Sequence, residues 1–147
     1  MKYQKSAKIT LWTVRFFMLC LLALAITAPW ITQYYVKYRN MKPVSQHSLL
    51  ATFYACVPSV AYALWAMHLL LLRFIKGLVF TRGNVNLVRS VSLCCAIVAA
   101  VTLLGALDYL PFIIITALMA FLFLAVQVIA NILEAATAMR EENDLTI

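Results

Sequence analysis

The sequence predicts an all-α integral membrane protein of four helices with both termini cytoplasmic. Three observations lead there. Of the 147 residues, 65% are apolar and only 12% charged, with a mean hydropathy of +0.94, whereas an ordinary soluble domain is about half apolar and about a quarter charged. The apolar residues gather in four runs, each long enough to cross the roughly 30 Å of bilayer hydrocarbon as a helix. The basic residues fall unequally on alternate sides of those runs. A water-soluble monomer is excluded, and no room is left for a second folded domain. Residues 1–147 read as one transmembrane domain in a lipid bilayer.

The first run covers residues 11–35, is broken only by Arg15, and is preceded by Lys2, Lys5 and Lys8. A signal peptide has the same outline. The stretch 16–31 is longer than a cleavable apolar region, however, and the best small-residue site, at Ala28, runs straight into Pro29, which points to an uncleaved anchor. Further runs cover 49–72, 87–107 and 111–133, with a cytoplasmic tail at 134–147. Helix is the expected form, because backbone groups in lipid must be satisfied within the segment and the runs lack the alternation of barrel strands. Pro29 and Pro58 lie inside the first two spans, where the carbonyl each one frees needs a donor from a neighbour. Asp108 and Pro111 leave so short a connection that spans three and four must be antiparallel neighbours.

Orientation follows from charge. Nine basic residues (Lys2, Lys5, Lys8, Arg15, Arg73, Lys76, Arg82, Arg89, Arg140) fall on one side and three (Lys37, Arg39, Lys42) on the other. The positive-inside rule then places both termini in the cytoplasm and the loop near 36–48 outside. Trp30, Tyr34, Tyr35 and Tyr38 make an aromatic belt at that outer end. The excess of 12 basic over 5 acidic residues is therefore a topology signal, and no direct contact with nucleic acid is expected.

Cys20, Cys56, Cys94 and Cys95 all sit in apolar runs without ligand spacing, so they read as core residues, with no metal or other cofactor expected. No H-E-x-x-H, G-x-S-x-G, paired aspartates, P-loop or dinucleotide fingerprint occurs, and no enzyme is expected. In the loop at 77–85, Thr81 has the character of a helix N-cap, Asn84 stands at N3, and Phe80 and Val85 occupy the positions of a hydrophobic staple. Arg82 and Arg89, seven residues apart, share a face. That face reads as a stripe against anionic lipid heads or as a docking surface for an acidic partner. The tail holds Glu141, Glu142 and Asp144 and ends in Leu145 and Ile147. It is expected to be solvated, to fold back on the Arg82–Arg89 face, or to engage another protein.

On the fourth span Thr116, Gln127, Asn131 and Glu134 fall within a sector of about 60° at ~100° per residue. This stripe is expected to face the bundle as polar glue or as a solute pathway, with Glu134 paired to Arg15 or Arg89. Tyr54, Pro58, Trp65 and His68 share one side of the second span. His68 is expected to be a hydrogen-bonded packing residue rather than a ligand.

Gly77-x-x-Phe80-Thr81-x-x-Asn84-Val85-x-x-x-Arg89 and the terminal Glu141-Glu142-Asn143-Asp144-Leu145-Thr146-Ile147 resemble the YoaS-like family of small bacterial membrane proteins, a domain-of-unknown-function family. Gly83 and Ala136 depart from that pattern, in which an acid and a glycine often stand. The resemblance implies a four-helix protein of the bacterial plasma membrane, often encoded beside a small helix-turn-helix transcription regulator. Holding such a regulator through Arg82, Asn84, Arg89 and the acidic tail is the leading expectation. The alternative is a small transport or self-immunity protein acting through Arg15, His68, Gln127, Asn131 and Glu134; a homo-oligomer is compatible with either.

Overall fold

The computed structural model describes residues 2–39 and 43–145, with side chains described for 7–39 and 46–143. Four helices follow one another: α1 (Lys2–Tyr38), α2 (Pro43–Ile75), α3 (Arg82–Gly105) and α4 (Phe112–Leu145). All four are long and apolar enough to cross a membrane. Large apolar side chains cover their outer surfaces, among them Trp12, Leu104, Ile114 and Phe121. In water such a surface would drive aggregation, whereas in lipid it is the solvated state.

The helices outrun the apolar runs. Hydropathy stops at the first charges, but Arg, Glu and Ala are good helix formers, so α4 continues through the segment expected to be a tail as far as Leu145. At the other end α3 stops at Gly105, and residues 106–111 turn the chain into α4.

Packing follows chain order. Among the described residues α1 meets α2, α2 meets α3 and α3 meets α4, and no Cα of α1 lies within 8 Å of one in α3 or α4. The result is a curved row rather than a closed bundle. In α3 33% of the most apolar window is buried, against 11% or less in the other helices, which makes α3 the most enclosed helix of the row. All four helices line a cleft of about 360 Å³ on the concave side, with Phe17, Ala63, Cys94 and Met119 in its walls. A second cavity of about 210 Å³ lies between Leu21, Cys56, Thr102 and Phe112.

At the end away from the termini, side chains join the row across non-neighbouring elements. The Tyr35 and Tyr109 hydroxyls are 2.7 Å apart, linking α1 to the α3–α4 turn. Ser48 Oγ donates to Asp108 Oδ2 at 2.6 Å.

Pro29 removes the amide that would bond the Ala25 carbonyl four residues earlier, and the Tyr54 hydroxyl of α2 donates to that carbonyl at 2.8 Å. The break in α1 is thus repaired from its neighbour. Where α2 meets α3, a Cβ on Gly105 would lie 2.7 Å from Thr52 Oγ1 and 3.1 Å from Phe112 Cδ2, so only glycine permits the approach. Tyr54→Phe is expected to cost about 0.6–1.7 kcal/mol, the range of interhelical hydrogen bonds in membranes. Gly105→Ala should cost ~1–3 kcal/mol by overpacking. Reversible unfolding in detergent measures both, and a Tyr54→Phe protein as stable as the parent would contradict the repair.

Candidate functional site

The end that carries both termini gathers most of the charged side chains, and its shape begins with the α2–α3 connection. Gly77 takes φ +77°, a region costly for any residue with a Cβ. Its amide bonds to Phe74 O and that of Leu78 to Arg73 O, both at 3.0 Å, which closes α2 in a Schellman motif. The chain then passes over Asn84. Asn84 Nδ2 donates to the carbonyls of Leu78 at 2.6 Å and Val79 at 2.8 Å, while its Oδ1 accepts from Arg73 Nη1 at 3.3 Å.

Asn84 is 1% exposed, so it ties the loop down and offers no surface to a partner, contrary to the sequence expectation. Thr81 is the N-cap by backbone, with φ −136° and ψ 143°, but its hydroxyl makes no capping bond. Phe80 is 42% exposed, and the Arg140 guanidinium lies 5.9 Å from its ring centroid.

From this loop α3 runs antiparallel to α4 along a ladder of polar pairs. Arg82 Nε and Nη2 donate to the Glu141 carboxylate at 2.8–3.3 Å in a forked pair. Arg89 Nη2 donates to Glu134 Oε2 at 2.7 Å. Deeper in the apolar part, Ser92 Oγ lies 3.1 Å from Gln127 Oε1 and 3.3 Å from the Phe123 carbonyl. Still deeper, the Thr102 and Thr116 hydroxyls stand 2.9 Å apart.

Sequence reasoning anticipated Glu134 with Arg15 or Arg89, and the structure pairs it with Arg89. Arg15 is exposed on α1, a helix that does not pack against α4. Asn131 is a correction: it is exposed. The buried line of α4 passes through Ala130 and Thr137 on the other side of Glu134, leaving Asn131 at the edge of the 60° sector and beyond the reach of α3. His68 is a second correction, because its Nδ1 is buried without a hydrogen-bond partner among the described residues; its ring lies 6.2 Å from that of Trp65. Glu142 is exposed, and the side chain of Asp144 lies outside the described residues, as do residues 146 and 147. Ser92 was missed, although its place three residues after Arg89 puts it on the same side of α3.

Beside the two ion pairs lies a cup of about 390 Å³ lined by Arg82, Asn86, Arg89, Glu134 and Thr137, with Val85 and Ala138 as apolar wall. Its two guanidinium groups and one carboxylate equip it to hold a polar or anionic group. Hydrogen bonds from Arg82, opposed by desolvation and assisted by the guanidinium charge, hold the Glu141 carboxyl below the usual carboxylate range; the same bonds raise Arg82.

Fold and site together define a small four-helix membrane protein whose third and fourth helices are joined at their charged end. A family model matches residues 27–147 under the description protein of unknown function (DUF2975), and the chain belongs to that family. This agrees with the expected domain-of-unknown-function family, while the YoaS-like assignment stays a resemblance. Neither the curated proteins nor the solved structures give a match.

Two outcomes test the ladder. Arg89 and Glu134 are about half exposed (45% and 53%), so Glu134→Leu alone should cost about 1 kcal/mol rather than the several of a buried pair. Replacing both with leucine should cost less than the single change, read by unfolding in detergent. For the outer pair the sign follows from the lowered Glu141 carboxyl: its contribution is present above the usual carboxylate range and disappears as pH falls through the lowered value. Hydrogen exchange in residues 138–143, corrected for intrinsic rate, should stay slow through mildly acidic pH and accelerate only below it. In Arg82→Gln it should be fast throughout.

Proposed function

We propose that this chain is a non-enzymatic docking protein of the bacterial plasma membrane, both termini cytoplasmic, whose α3–α4 end holds a cytoplasmic protein. One observation carries the reading. α4 remains helical to Leu145, about nine turns from Phe112, and is fastened to α3 by Arg82–Glu141 and Arg89–Glu134, so a charged ledge projects past the apolar part of the spans. A ledge held at two points presents its side chains with little ordering cost to a partner.

The arginines meet such a partner already paired. Recognition therefore uses the composite surface of Arg82, Glu141 and Glu142, the side chain of Arg82 being 80% exposed. A helix-turn-helix transcription regulator is the candidate that the sequence resemblance suggests, and DNA would then be touched only by that regulator.

The concave cleft favours a second reading, self-immunity, in which a membrane-active peptide lodges between α1 and α4 against Phe17 and Met119. A route for polar solutes has less support. Thr116 and Gln127, which it would use, are engaged with α3.

Reporter fusions after Met41 and after Ile147 should score on opposite sides of the membrane. Arg82→Glu with Arg89→Glu, or removal of residues 141–147, should abolish co-purification with the product of an adjacent helix-turn-helix gene. Gln127→Leu should leave it intact apart from stability. Unchanged co-purification in both ledge variants would refute the docking reading, and a resistance phenotype that follows the cleft residues would replace it.

A further inference from the structure

The cup beside the ladder straddles the edge of the apolar run of α3, where lipid phosphates are expected. Arg89 stands just inside the apolar run that begins near Leu87, and Arg82 stands outside it. The two are about 10 Å apart along the helix axis. Val85 and Ala138 give the cup an apolar wall continuous with the spans, while Asn86 and Thr137 add polar groups on its α3 and α4 sides.

A guanidinium has five N–H donors. Glu141 takes Nε and Nη2 of Arg82, which leaves Nη1; Glu134 takes Nη2 of Arg89, which leaves Nε and Nη1. Each arginine thus keeps a donor edge beyond its carboxylate. Across this end of the described structure, Arg73, Lys76, Arg82, Arg89 and Arg140 outnumber Glu134, Glu141 and Glu142. The cup's own arginines are matched by Glu141 and Glu134, and the surplus positive charge that would attract an anion to this end comes from Arg73, Lys76 and Arg140.

We propose that the cup binds the phosphate of an anionic membrane lipid, held between Arg82 and Arg89 with its glycerol portion against Val85 and Ala138. Basic pockets between transmembrane helices select anionic headgroups on this principle. Glu134 faces the same cup and competes for Arg89, so lipid binding and the Arg89–Glu134 pair oppose one another. The proposal does not rest on the docking function, since its readout contains no protein partner.

Native mass spectrometry of the intact, detergent-purified protein with equal phosphatidylglycerol and phosphatidylcholine tests it. Phosphatidylglycerol should be retained roughly fivefold over phosphatidylcholine, the ratio expected of one net basic contact. Arg82→Gln with Arg89→Gln should bring the ratio to about one, and Glu134→Gln should raise it. Should the double arginine variant fail to fold, Glu134→Gln decides: no gain overturns the proposal. Equal retention of both lipids by the parent overturns it as well, as does an unchanged preference in a folded double variant. Displacement of the lipid by excess inorganic phosphate would assign the cup to free phosphate instead.

Discussion

The polar ladder between α3 and α4 fixes the geometry on which the charged end depends. Lipid offers no hydrophobic drive for one apolar helix to choose a register against another, so directional contacts must set it. Arg82–Glu141, Arg89–Glu134, Ser92–Gln127 and Thr102–Thr116 succeed one another along the antiparallel pair. A slip of one residue would turn each of them off the seam. Each contact is individually modest, and their common register makes them specific. That register brings Arg82, Arg89, Glu134 and Thr137 around one cup.

The same demand for polar satisfaction explains the rest of the row. Asn84 supplies donors to two loop carbonyls, and Tyr54 supplies one to the carbonyl that Pro29 orphans. Where no polar pair is made, close approach takes over, as at Gly105 against Thr52. α3 takes part on both sides and α1 on one, and the cleft opens where α1 and α4 remain apart.

The four spans were legible because hydropathy integrates over about 20 residues and tolerates single exceptions such as Arg15. The Arg89–Glu134 pair was within reach because the short turn at 106–111 forces α3 and α4 together. Asn131 misled because a 60° sector is about as wide as the helix seam, so its edge falls outside. The role of Asn84 was hidden, since the path of the loop carbonyls over it depends on the left-handed turn at Gly77. The extension of α4 was hidden too. Hydropathy marks where lipid ends, whereas helix propensity and a latch on Arg82 decide where the helix ends.

The short turn at 106–111 also has a consequence for biogenesis. α3 and α4 are consecutive and joined so closely that insertion into the bilayer as a hairpin is the expected route. A lone arginine at the centre of an inserting helix costs ~2.5–3.5 kcal/mol, and less toward its ends. Inserted as a hairpin, Arg89 and Glu134 would reach the membrane already neutralised by one another, with Gln127 facing Ser92 as in the finished structure. The pairing that fixes the finished register would thereby lower the cost of insertion as well, while the other side of α3 meets α2 at Thr52 and Gly105.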